Sequence, residues 1–167
     1  CLNLSLQTVS DPDFLPAVEQ MLNSFHVEPH QICFEVTEAH AVGDLQKIGE
    51  FIRKLREIGC RSALDDVGRS IGSYDYLKGL PVDFIKIDGH LIGGVVHSTI
   101  SSVQVKAITQ IAHLLGICVI AEMVEDHNTL KLLGGLGINY AQGFGIAKPR
   151  PVAELKTVLA TAAETAS

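Results

Sequence analysis

The sequence predicts an α/β fold: a TIM-like (β/α) barrel present in part, with about six strand–helix units. Three observations lead there. Apolar strand-like runs alternate with amphipathic helical stretches along the chain, which implies parallel strands joined by helical crossovers. Polar residues close almost every predicted strand: Asn3, Glu35 and Glu38, Asp65 and Asp66, Lys86 and Asp88, Glu122 and Glu125, and Gln142. A doubly wound sheet gathers its site at one switch point, whereas a ring of strand ends brings all of these together, so the barrel accounts for the pattern better. The 167 residues also fall short of the ~250 that a barrel takes. The chain is therefore expected to be a piece of something longer, lacking at least one strand–helix unit at its amino end.

The elements follow in order. A strand is read at Leu2–Leu6 and a short helix at Asp13–Phe25. The apolar run Ile32–Glu38 is the second strand. Val42, Leu45, Ile48, Ile52 and Leu55 then recur at helical spacing, with Lys47, Glu50, Arg53, Lys54 and Glu57 off that stripe. Strands follow at Ser62–Val67 and Phe84–Asp88, separated by a short helix at Ser73–Leu80 and the punctuation of Pro81. Ile100, Val103, Ala107, Ile108, Ile111, Leu114 and Leu115 form a second helical stripe that stops at Gly116. Strands at Cys118–Val124 and Tyr140–Ile146, with helices at Asn128–Leu136 and Pro151–Ala163, complete the reading.

Composition narrows the functional classes. An apolar content of 47% suits one domain, residues 1–167, with a substantial core. A net charge of -6, without acidic runs, argues against a groove for a nucleic-acid polymer. No apolar run approaches the ~20 residues that span a bilayer, so no membrane contact is expected of this domain. The four cysteines are far apart, which favours buried, reduced thiols in a cytoplasmic protein over a disulfide framework or zinc site. The seven scattered histidines form no H-x-x-x-H pair and read as structural or surface residues.

The centre of interest is Ala63-Leu64-Asp65-Asp66-Val67-Gly68, where an apolar strand ends in two adjacent carboxylates. Two neighbouring aspartates can each hold a cation, or one can bridge two. Glu35 and Glu122 lie inside apolar strands, where a carboxylate is costly unless paired or bound to metal. Oxygen donors without cysteine or histidine suit Mg²⁺ or Mn²⁺, with Ca²⁺ as a non-productive substitute. An acidic ring repels phosphate until cations invert the local field; two bound cations then serve phosphodiester hydrolysis. Lys86, in the apolar run Phe84-Ile85-Lys86-Ile87-Asp88, is read as paired with a carboxylate, as positioning the attacking water, or both.

These residues resemble the EAL domains of bacterial cyclic di-GMP signalling. The matching segments, in family order, are Asn3-Leu4-Ser5, Phe34-Glu35-Val36-Thr37-Glu38, Ala63 to Gly68, Leu80 to Asp88, Ala121-Glu122-Met123-Val124-Glu125 and Gln142-Gly143-Phe144, then Lys148-Pro149. The resemblance implies a cytoplasmic phosphodiesterase domain that hydrolyses cyclic di-GMP to pGpG with two divalent cations. It implies that Asn3, Glu35 and Asp65 hold the first cation and that Asp65 bridges to a second, also held by Asp66. Glu122 would reach the second through water or act as base, and Lys86 would orient the nucleophilic water. Glu38 would steady the loop after Asp66, and Asp88, Glu125 and Gln142 would lie near substrate or support the site. Homodimer contacts, and sensory or cyclase domains elsewhere in the parent protein, are implied as well.

The match departs in four places. The Glu-Ala-Leu signature is absent; it belongs upstream of Cys1 and supplies a metal ligand, so the chain alone is expected to be poorly active or inactive. Val67-Gly68-Arg69-Ser70-Ile71-Gly72-Ser73 replaces the usual Phe-Gly-Thr-Gly-Tyr-Ser-Ser. Met123 stands where the family has glycine, and Gly89-His90 replaces a small-residue-Ser-Phe pattern. Arg69 is read as a surface residue or as a partner for an acid such as Glu38. The alternative function is a degenerate EAL-type module that binds cyclic di-GMP, or a partner protein, without hydrolysis.

Overall fold

Six parallel strands form one sheet whose spatial order is their chain order, from β1 to β6. The strands are β1 (Leu2–Asn3), β2 (Cys33–Thr37), β3 (Arg61–Val67), β4 (Phe84–Ile87), β5 (Cys118–Ala121) and β6 (Tyr140–Ala141). The helices are α1 (Leu6–Val9), α2 (Phe14–Phe25), α3 (Glu38–Gly43), α4 (Leu45–Ile58), α5 (Gly89–Gly94), α6 (Thr99–Leu114) and α7 (His127–Gly135). Two 3-10 helices cover Pro29–Gln31 and Tyr74–Gly79. The computed structural model describes residues 1–69 and 73–151. The helix expected at Pro151–Ala163 and the middle of the loop after Asp66 lie outside the described residues.

This strand order separates the two architectures weighed above. Crossovers between parallel strands are right-handed, so strands added always in the same direction place every helix on one side of the sheet. A doubly wound sheet reverses direction at its switch point, and this sheet does not reverse. The result is a partial TIM-like barrel.

The helical side holds the core. Val36, Leu64, Ile85, Ile87, Val119 and Ala121 are buried there, covered by Ile48, Ile52 and Leu55 of α4 and by Val105, Ile108 and Ala112 of α6. Alternation along the strands puts Glu35, Ala63, Phe84, Lys86, Cys118 and Ile120 on the other side. Helix starts are fixed by short polar caps. Lys47 N donates to Asp44 Oδ1 at 3.1 Å, Ser101 N to Ser98 Oγ at 3.2 Å, and Asn128 and Thr129 N to Asp126 Oδ1.

Several boundaries differ from the sequence reading. The first strand stops at Asn3, because Ser5 caps a helical turn by accepting from Thr8 N. Glu38 belongs to the first turn of α3, which Thr37 caps, and the stripe from Val42 to Leu55 is two helices broken at Asp44. The last two strands are shorter than expected, ending at Ala121 and Ala141. Within Ser73–Leu80 the helix is a 3-10 helix, Tyr74–Gly79, and α5 is an element that the sequence reading did not place. Among the cysteines only Cys60 is buried; Cys33 and Cys118 open strands and are half-buried, with the Cys33 thiol pushed up to about 11 by burial and then by Glu35. None forms a disulfide.

Leu64 is fully buried between sheet and helices. Leu64→Ala is expected to cost about 2–5 kcal/mol in urea unfolding, through lost transfer energy and the cavity left behind.

Candidate active site

The strands deliver their polar ends in register. Asn3 pairs with Glu35, Glu35 with Ala63, and Thr37 with Asp65. Across β4 and β5, Lys86 pairs with Ile120, two residues before Glu122. Between β3 and β4 the register shifts: Leu64 faces Ile85, but Val67 faces Ile87. Asp65 and Asp66 thus occupy a β-bulge opposite the single residue Lys86. Ordinary alternation would send one of two adjacent aspartates to the helical side; the extra residue removes that restriction. Asp66 absorbs the distortion with a left-handed φ of 59°, and its N–H donates to Asp65 Oδ1 at 3.0 Å.

Lys86 is the hub. Its Nζ lies 2.7 Å from Glu122 Oε1, 3.0 Å from Glu35 Oε2 and 3.2 Å from Asp65 Oδ1, in surroundings that leave 5% of the residue exposed. Burial alone would lower the lysine; its bonds to Glu122 and Glu35, and the charges of Glu122 and Asp65, hold it above its ordinary value. Glu122 is raised as well, but for the opposite reason. Burial raises its carboxyl despite Lys86, and the charges of Asp65 and Asp66 add to the rise. Asp66 is raised by burial, then by Asp65 and Asp88 beside it, against the weaker opposing pull of Arg69.

Carboxylate oxygens of Asp65, Asp66 and Glu122 lie within 4.8 Å of one another. Glu35 Oε1 is buried without a hydrogen-bond partner. A cluster of oxygen donors carrying more acids than cations, with an orphaned carboxylate oxygen at its edge, fits a hard divalent cation.

The other expected residues fall into two groups. Glu38 is buried and accepts a short hydrogen bond from the Tyr76 hydroxyl, which ties α3 to the 3-10 helix following the Asp66 loop. Burial and that bond push the Tyr76 hydroxyl well up. Asp88 is buried and caps α5, accepting from His90 N at 2.9 Å, with the His90 ring at 3.2 Å. Arg69 sits at the surface, 3.8 Å from Asp66 Oδ2 rather than on Glu38. Asn3, Glu125 and Gln142 are exposed, and among the described residues their side chains have no hydrogen-bond partner. The backbone of Gln142 is nevertheless fixed: it accepts from Val124 N and donates to Ala121 O. The loop lies so close to the β5 extension that a Cβ on Gly145 would meet the Glu125 carbonyl carbon at 2.6 Å.

Three contributors were not read from the sequence. Nothing in Tyr74-Asp75-Tyr76 marks Tyr76 as the partner of Glu38. The link between Met123 and Gly89 is the second. Met123 holds a left-handed φ of 51°, and a Cβ on Gly89 would collide with its Sδ. The sequence shows the two departures separately; the structure joins them, with the missing side chain at position 89 making room for the thioether. Asp83 is the third, accepting from Ser62 N at 2.8 Å and so anchoring the start of β3.

Parallel strands wound in one direction, with an acidic centre at their carboxyl ends around one lysine, define a TIM-type barrel with its site in the usual place for that architecture. Residues 1–149 match the EAL domain family, and the chain belongs to that family. It is 35% identical over 152 residues to the cyclic di-GMP phosphodiesterase PdeB of Shewanella oneidensis, covering 91% of this chain and 18% of that protein. The chain thus spans about a fifth of the length of the curated relatives it matches. Among solved structures, the EAL domain of Mycobacterium smegmatis DcpA superposes with a TM-score of 0.87 at 29% identity, over 95% of this chain and 71% of that one. The PaMucR phosphodiesterase in its c-di-GMP complex gives 0.84 at 30% identity, over 92% and 62%.

Two outcomes follow from the geometry. Gly89→Ala is expected to destabilise the fold, and Met123→Gly in the same chain to restore most of the loss, as a double-mutant cycle in urea would show. In metal-free buffer, the raised Asp66 and Glu122 carboxyls make stability fall as pH rises from the ordinary carboxylate range through their elevated values, because the folded state holds the protons more tightly there. Thermal midpoints measured across that window check the sign.

Proposed function

We propose that this chain is the core of a cyclic di-GMP phosphodiesterase domain that cleaves its substrate to linear pGpG. The observation that carries the reading is Lys86 bonded to Glu35, Asp65 and Glu122, with Asp66 beside them, at the carboxyl ends of parallel barrel strands. Relatives named cyclic di-GMP phosphodiesterases, and an EAL structure in complex with c-di-GMP, support the substrate class.

Asn3, Glu35, Asp65 and Asp66 would hold two divalent cations, Mg²⁺ or Mn²⁺, with Asp65 shared and Glu122 close by; Ca²⁺ would occupy the site without supporting turnover. When bound, such ions polarise the phosphodiester and make water a better nucleophile at neutral pH. The chain's own groups do the rest. Lys86 stays protonated through neutral pH and donates hydrogen bonds into the place where the nucleophile stands. Glu122, whose carboxyl is raised, is suited to take up a proton there. Asp88 holds α5 against the site, and Glu38 through Tyr76 fixes the segment after the Asp66 loop. Glu125 and Gln142, both exposed, would lie near substrate or support the site. The Glu-Ala-Leu glutamate is not in this sequence, so turnover by residues 1–167 alone is expected to be poor.

Two measurements test the reading. Mg²⁺ or Mn²⁺ at about 100 times its dissociation constant should stabilise the chain by roughly 2.7 kcal/mol in thermal unfolding. Asp65→Asn should abolish that gain; an unchanged gain removes Asp65 from the cation site. In protein that carries a Glu-Ala-Leu strand ahead of Cys1, cyclic di-GMP should be converted to pGpG, and Asp65→Asn should slow conversion by about a thousandfold, on the order of 4 kcal/mol of barrier. Binding of intact cyclic di-GMP without cleavage would replace hydrolysis with the receptor function.

A further inference from the structure

The opposite end of the sheet holds a cavity of about 590 Å³. It lies where the strands begin, between the carboxyl-terminal half of α4, the starts of β3 and β6, and the segments leading into β4 and β5. Arg61 lines it four residues before Asp65, so about 13 Å of strand separates it from the acidic centre.

Arg53 and Arg56, one turn apart on α4, line the same cavity. Among the described residues none of the three guanidiniums has a carboxylate partner. The acid within reach of the cavity, Asp83, is committed to Ser62, and the neighbouring Lys78 is paired with Asp75. In a chain of net charge -6, three arginines without carboxylate partners around one hollow concentrate positive potential there. Aromatic surface lies alongside. Tyr140, 55% exposed, meets Phe84 edge-on at 6.1 Å, and Arg61 lies over the Phe84 ring at 5.8 Å.

Planar guanidiniums match phosphate oxygens two at a time, and exposed rings stack on bases. We propose that this cavity binds a phosphate-bearing nucleotide, with its phosphates on Arg53 and Arg56 and its base against Tyr140 and the Arg61–Phe84 pair. The acidic centre repels phosphate unless cations are bound; this cavity attracts it directly. The two sites are therefore separable by chelation, and the proposal stands or falls independently of the phosphodiesterase reading.

Calorimetric titration of the chain with GTP, in EDTA at about 0.15 M salt, tests it. GTP should bind, Arg53→Gln with Arg56→Gln should weaken it by about tenfold or more, and Asp65→Asn should leave it unchanged. Pyrophosphate should bind more weakly than GTP, and Tyr140→Ala should lower affinity for GTP but not for pyrophosphate. Absence of GTP binding at roughly 1 mM by protein with an unaltered far-ultraviolet spectrum would overturn the site. Equal affinity in the double-arginine variant would do the same. Pyrophosphate binding as tightly as GTP would overturn the nucleotide assignment.

Discussion

Everything at the carboxyl end of this sheet depends on one ammonium group held among carboxylates. Moving an ion out of water costs several kcal/mol, and an acidic cluster adds mutual repulsion to that cost. Lys86 offsets both by reaching Glu35 on β2, Asp65 on β3 and Glu122 just past the end of β5. It does not neutralise the site. The acids outnumber the lysine, and the carboxyls of Asp66 and Glu122 are raised first by burial and further by the acids beside them. Carboxylates in excess of the one ammonium, gathered in this way, fit a hard divalent cation.

The backbone makes this arrangement available in two ways. Winding in one direction sends all the helices to one side, so the other side is free to carry charge. The bulge in β3 then places two sequence neighbours opposite one lysine. Apolar burial and polar function are divided between the two faces, and Leu64 and Asp65 show the division within two consecutive residues: one fully buried under helices, the other bonded to Lys86.

Much of this was legible from residue pattern. The apolar runs located all six strands, and the barrel followed from polar residues at successive strand ends. Periodicity was weakest where an element is short or its boundary depends on a cap. Val42 continues the apolar stripe of α4 in sequence, yet it lies 54% exposed on α3, because Asp44 restarts the helix. Ser5 likewise cut the expected first strand short by capping a helical turn. In the acidic cluster a carboxylate partner for Lys86 was readable, but the full set was not: that Lys86 meets three acids depends on register across four strands. The Met123–Gly89 contact depends on backbone conformation at both positions, and neither residue type announces it.

Asp66 bears a cost that no other residue of the centre combines. It sits in left-handed backbone, beside two carboxylates, with its own carboxyl partly withdrawn from water. Left-handed geometry costs an L-residue roughly 1–2 kcal/mol, and glycine would adopt it freely. A chain selected for stability alone would carry glycine there. The aspartate marks a trade-off in which thermodynamic margin is surrendered at one position, and the well-packed core behind Leu64 is what lets the domain tolerate the loss.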